Sequence, residues 1–152
     1  MSQFLIYGAN GFTGRLIVQE ALERGFKPII AGRNRKQIES LASETGLEGR
    51  VFDLRDLPSI ARNIVNVDVV LHAAGPFSLT MPNMVQACLQ TQTHYCDITG
   101  EIEVFEKVYA QHDEAVEKNI ALIPGVGFDV VPTDCVAKTL SEALPDASHL
   151  AL

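Results

Sequence analysis

Cysteine and histidine are scarce in this sequence and poorly placed to act together. The chain has three cysteines (Cys88, Cys96 and Cys135), an odd number, widely spaced and without a CxxC pair or neighbouring histidines. That pattern excludes a disulfide scaffold and a thiolate metal site. It predicts free thiols in a reducing compartment, and hence a cytoplasmic protein. His94, His112 and His149 are spread without ligand spacing, so no metal site is expected. His72 lies inside an apolar run and is read as a core histidine. Aromatics make up only 7% and form no stacking platform. No apolar run approaches the roughly 20 residues of a membrane span, and Met1-Ser2-Gln3 lacks the basic region of a secretory leader. Cations are outnumbered, 12 to 19, for a formal net charge of -7. This argues against a nucleic-acid or anionic-membrane surface. A small anionic ligand remains admissible, because a helix N-terminus and a few local arginines can hold phosphate within an acidic protein.

What is present is a chain of 152 residues, 47% hydrophobic, with mean hydropathy +0.12, which suits one packed domain. Short β-branched runs at 3–7, 27–31, 50–54, 68–74, 94–98 and 120–124 alternate with helical-period stretches. The helices are expected at 13–24, 35–45, 56–65, 82–91, 101–119 and 132–144. Strands separated by helices must pair in parallel through right-handed crossovers. The expected fold is therefore α/β, a doubly wound parallel sheet of the Rossmann type, in a single domain with strand order 3-2-1-4-5-6. Residues 1–145 make up this unit, and 146–152 read as the start of a second, substrate-binding domain, so the chain is expected to be a fragment.

The segment Gly8-Ala9-Asn10-Gly11-Phe12-Thr13-Gly14 follows the first strand and opens the first helix, with GxxGxxG spacing. Gly8 suits the tight turn, Gly11 a close approach of backbone to a diphosphate, and Gly14 close packing of helix on sheet. The free N–H groups of the first helical turn and the helix dipole then favour phosphate. Asn10 is expected to cap that helix, and the Thr13 hydroxyl to bond phosphate. At the end of the second strand, NAD domains carry an acid that binds the ribose 2′-OH. Here the residues are Gly32-Arg33-Asn34-Arg35-Lys36, with no carboxylate. Guanidinium groups suit a 2′-phosphate, so NADP is expected over NAD, with Arg33 as the main contact and Asn34 and Arg35 behind it.

Gly75-Pro76 ends the fourth strand at the switch point, where open α/β sheets bind ligands. Asp97, Thr99 and Glu101 surround the end of the fifth strand; Glu101 either faces substrate or favours the start of the helix that follows. Asp129 either orients substrate or serves the turn before Pro132. Tyr7, Tyr95 and Tyr109 are followed four residues later by Gly11, Thr99 and Asp113, so the Tyr/Lys pair of short-chain dehydrogenases is missing. No catalytic acid or base is assigned.

The segments Tyr7-Gly-Ala-Asn-Gly-Phe-Thr-Gly14, Ala74-Gly-Pro-Phe77, Tyr95-Cys-Asp-Ile-Thr-Gly-Glu101 and Pro124-Gly-Val-Gly-Phe-Asp-Val-Val-Pro132 occur in this order. As a set they resemble the N-terminal NADP-binding domain of saccharopine dehydrogenase-like oxidoreductases, the trans-acting enoyl reductase branch included. The resemblance implies a cofactor groove along the carboxyl ends of the strands. Gly8–Gly14 would hold the diphosphate and Arg33 with Asn34 the 2′-phosphate, while Asp53 would lie near the adenine. Ala74, Gly75 and Pro76 would pass the nicotinamide-side ribose, with Thr99 and Gly100 also binding the cofactor at the inner end, near the nicotinamide, and Glu101, Gly127, Phe128 and Asp129 on the substrate side. It implies hydride transfer by a complete protein, a homodimer at full length, of which this fragment is inactive alone. The alternative is a non-catalytic NADP-responsive module that regulates a partner.

Overall fold

The computed structural model describes residues 3–150; Met1, Ser2 and the last two residues of the 146–152 segment lie outside the described residues. The elements run β1 (Phe4–Tyr7), α1 (Phe12–Glu23), β2 (Ile29–Gly32), α2 (Arg35–Thr45), β3 (Gly49–Val51), α3 (Leu57–Ile64) and β4 (Val69–His72), followed by α4 (Phe77–Thr91), β5 (His94–Asp97), α5 (Ile102–Tyr109), α6 (His112–Glu117), β6 (Leu122–Ile123) and α7 (Val131–Ala143). The strands form one six-stranded parallel sheet in the order β3-β2-β1-β4-β5-β6, as the alternation of elements predicts. The order reverses between β1 and β4, whose carboxyl ends flank the switch-point crevice.

Both faces of the sheet are covered, so the central strands are apolar throughout rather than alternating. Ile6, Ile30, Val18, Ile38 and Leu41 pack between one face and α1 and α2. Leu5, Ile29, Val70, Ile60, Met84 and Val104 belong to the larger core on the other face. Asn34 and Asp56 start α2 and α3 by accepting from Gln37 N (3.2 Å) and Ser59 N (3.1 Å).

Two helices depart from the sequence expectation. Helix α4 begins at Phe77 rather than Pro82, and the proline lies inside it. Its early start is explained by a distant cap, the Glu101 carboxylate, which meets its first amides. The single helix expected over 101–119 is two, α5 and α6. An unbroken helix would carry the buried Val104–Val108 face on to His112. The break leaves His112 exposed, while Ala115, seven residues after Val108, stays on the buried side. Helix α7 has no buried residue, and Val136, Leu140 and Leu144 lie uncovered along it at helical spacing.

Candidate cofactor cleft

A cleft of about 530 Å³ opens at the carboxyl ends of β1, β2 and β4. Its floor is the glycine loop, and two of the glycines there are dictated by backbone. Gly8 has φ +87°, and a Cβ on it would stand 2.8 Å from the Ala73 carbonyl oxygen. A Cβ on Gly14 would run into the Gly8 carbonyl oxygen and Ala9 Cα, so only glycine lets α1 sit this close to β1. Gly11 has an ordinary φ of −74° and caps α1 with no side chain.

Helices α2, α3 and α4 each have first-turn amides met by a side chain. Helix α1 does not: among the described residues the N–H groups of Phe12, Thr13 and Gly14 have no protein acceptor. These amides and the positive helix end make a ready anion site. The expectation that Asn10 caps α1 is corrected. Its side-chain amide donates to Gln37 Oε1 (2.7 Å), while its oxygen fills the space beside Gly32 where a Cβ would go. Asn10 thus ties the glycine loop to α2 and still borders the cleft.

Of the three residues expected at the 2′-phosphate, only Arg33 lines the cleft. Among the described residues its guanidinium forms no ion pair. Asn34 is engaged as the α2 cap, and Arg35 pairs with Glu39 (3.1 Å) along the helix. Asp53 lines the cleft beside Arg55, which the sequence reading missed. Arg55 holds Asp53 through Nε–Oδ1 (3.0 Å) and Nη2–Oδ2 (2.8 Å), and these bonds bring the carboxyl down to about 2. Beneath them the Tyr7 hydroxyl donates to the Phe52 carbonyl (2.9 Å), and burial pushes it up to about 12.

On the far side, Ala74, Gly75 and Pro76 line the cleft with Leu79, Thr80 and Asn83. The last three were missed because their roles come from tertiary contact. Asn83 donates to the Leu54 carbonyl (2.7 Å), joining α4 to the loop after β3. Thr80 Oγ1 lies 2.8 Å from the Ala74 carbonyl, 3.0 Å from the Pro76 carbonyl and 3.0 Å from His72 Nε2. Both carbonyls only accept, so the hydroxyl proton goes to one of them and His72 Nε2–H donates to Thr80. His72 is fully buried, as a core histidine should be, and its Nδ1 has no partner among the described residues. Burial brings its imidazole down to about 3, so it stays neutral and braces the Ala74–Pro76 turn.

The inner end is stapled by Asp97, which is fully buried. Its carboxyl accepts from Tyr95 Oη (2.6 Å), Thr99 N (3.0 Å) and Gly125 N (2.9 Å). Thr99 Oγ1 in turn accepts from Glu101 N (3.0 Å), so Thr99 is buried in the loop rather than facing the cleft. Glu101 Oε1 and Oε2 accept from Phe77 N (2.7 Å) and Ser78 N (2.9 Å), and these amides hold its carboxyl below the usual range. The helix it serves is therefore α4, not the α5 that follows it. A Cβ on Gly100 would lie 3.9 Å from Asp129 Cβ, and one on Gly127 3.0 Å from Ile98 Cβ, so the two loops are neighbours. Phe12 and Phe128 are exposed, at 84% and 86%. Among the described residues no group of three or more His, Cys, Asp or Glu is arranged to hold a metal, and no helix is long and apolar enough to cross a membrane.

A parallel sheet of this order, with a glycine turn into an uncapped helix at the switch point, defines a Rossmann-type dinucleotide-binding domain. Residues 4–123 match the saccharopine dehydrogenase NADP binding domain, and the chain belongs to that family. It is 28% identical over 152 residues to a saccharopine dehydrogenase-like oxidoreductase of Bos taurus, covering 86% of this chain and 35% of the relative. It is 31% identical over 147 residues to a probable mitochondrial saccharopine dehydrogenase-like oxidoreductase of Arabidopsis thaliana, covering 86% and 32%. Apo saccharopine dehydrogenase (L-Glu forming) of Saccharomyces cerevisiae superposes with TM-score 0.80 at 19% identity, over 97% of this chain and 32% of that one. The chain thus spans about a third of the length of the relatives it matches.

Proposed function

We propose that this domain binds NADP along the cleft, adenosine half toward Arg33 and Asp53, nicotinamide half toward Ala74–Pro76. The observation that carries this reading is the open N-terminus of α1: three amides that have no acceptor among the described residues, beside a cleft that also holds Arg33, which forms no ion pair among them. The diphosphate would take those amides, with Gly11 leaving room for it. Arg33 would bind the 2′-phosphate, and the residues that directly follow β2 in the chain, Arg33-Asn34-Arg35-Lys36, include no carboxylate to prefer a 2′-hydroxyl. Asp53 would face the adenine rim through its fork with Arg55. Bound NADP supplies the hydride chemistry. The chain's own residues position it, with His72 and Thr80 holding the turn beneath the nicotinamide ribose.

The substrate end would be formed by Gly100, Glu101, Gly127, Phe128 and Asp129, completed by a second domain beginning at residue 146. The uncovered face of α7 supports this arrangement, because Val136, Leu140 and Leu144 need a cover that the described residues do not provide. The complete protein would then be an oxidoreductase, and this domain alone would bind cofactor without turnover. Free Cys88, Cys96 and Cys135 support a reducing, cytoplasmic setting. Calorimetric titration with NADP and with NAD tests the reading: NADP binds more tightly, and equal or tighter binding of NAD overturns the Arg33 assignment.

A further inference from the structure

Three charged side chains line the cleft, Arg33, Asp53 and Arg55, and among the described residues Asp53 is the only carboxylate lining it. The sheet brings that carboxylate to the same rim as Arg33. Gly32 at the end of β2 pairs with Val51 of β3, and Phe52 N donates to the Gly32 carbonyl (3.3 Å). Arg33 and Asp53 each follow a partner of that bond, so they emerge from neighbouring strands side by side. The Asp53 carboxyl is brought down first by the Arg55 bonds and further by the nearby Arg33 charge. Even so, Arg33 and Asp53 form no ion pair among the described residues.

The carboxylate is committed elsewhere. Its Oδ1 accepts from Arg55 N (2.9 Å) and Nε (3.0 Å), and its Oδ2 from Arg55 Nη2 (2.8 Å). A two-pronged fork of this kind fixes the orientation of the carboxylate as well as its partner. The turn that carries the fork is itself held. Leu54, between the two residues, is buried, and its carbonyl accepts from Asn83 Nδ2 (2.7 Å). The Phe52 carbonyl accepts from the Tyr7 hydroxyl (2.9 Å). The Arg55 side chain is 90% exposed, so the pair adds little to the stability of the fold. Its consequence lies in where it keeps the carboxylate. Released, Asp53 would stand beside Arg33 and pair with the guanidinium, and its charge would repel a phosphate. An acid at the ribose is how NAD domains take a 2′-hydroxyl.

We propose that Arg55 is a specificity-determining residue that acts through Asp53: its fork keeps the carboxylate off Arg33 and so leaves Arg33 to the 2′-phosphate of NADP. The proposal rests on the reading of Arg33 as the 2′-phosphate contact. The test is calorimetric titration of the wild-type chain, Arg55→Ala, Asp53→Asn and the double variant with NADP and with NAD. The quantity read is the ratio of the two affinities. A contact between Asp53 and the adenine is common to both cofactors and cancels in that ratio, as does a general loss of fold. Arg55→Ala lowers the preference for NADP by at least about fivefold, the scale of one exposed ion pair. With Asp53→Asn already in place, the same replacement changes the ratio by less than about twofold. A ratio that Arg55→Ala leaves unmoved in the wild-type chain overturns the proposal. An equal fall in both backgrounds means that Arg55 meets the phosphate itself, and also overturns it. A wild-type chain that does not prefer NADP overturns the Arg33 reading beneath the proposal instead.

Discussion

The two ends of the cleft differ in where their polar groups are committed. At the adenosine end, Arg33 has no ion-pair partner among the described residues, and the first amides of α1 have no protein acceptor. At the nicotinamide end nearly every polar group is engaged by the protein itself. Asp97 staples β5 to its neighbours, Glu101 caps α4 and His72 braces Thr80. One end is thus left unsatisfied for a charged ligand, while the other is a prebuilt scaffold. Substitutions at the scaffold should lower stability, and substitutions at the open end should lower affinity with little effect on stability.

The largest effect is expected at Asp97. Replacing it with alanine leaves a buried tyrosine hydroxyl and two amides without their acceptor, costing about 3 kcal/mol. Urea unfolding measures this, and a loss below about 1 kcal/mol would contradict the staple. The next effect depends on pH. An unfolded histidine titrates at about 6.5, whereas folded His72 is held at about 3. Between these values the unfolded chain binds a proton that the folded chain does not. The stability from a neutral buried His72 is therefore complete above about pH 6.5 and is lost as pH falls through the window. From about pH 6.5 to 5 the loss is about 1.5 kcal/mol. Asp53, down to about 2, loses its own contribution only at lower pH. His72→Gln should flatten the profile between those pH values; an unchanged slope would assign it elsewhere. Glu101→Ala should cost about 1 kcal/mol, the ordinary worth of a helix cap. Unchanged stability would mean that the carboxylate is free to serve a ligand, which would blur the contrast between the two ends.

The sheet order was legible because each strand and helix announces itself through local pattern and punctuation. Gly8 and Gly14 were legible for the same reason, since backbone geometry at a strand–helix turn admits little else. The start of α4 was not, because its cap is the carboxylate of Glu101, supplied from across the fold. Among Arg33, Asn34 and Arg35, sequence alone could not tell which side chain α2 would engage: capping took Asn34, and Glu39 one turn on took Arg35. Arg55, Thr80 and Asn83 carried no local motif at all. Their places depend on carbonyls and carboxyls that only the folded chain brings near.

The contrast rests finally on Arg33. Calorimetric titration of the wild-type and Arg33→Ala chains with NADP and with NAD tests it most directly, alongside their urea unfolding. The expected result is a loss of about 1–3 kcal/mol in NADP affinity, with NAD affinity nearly unchanged and stability within about 0.5 kcal/mol of wild type. Equal weakening of both cofactors, or no change for either, would contradict an adenosine end held open for the 2′-phosphate.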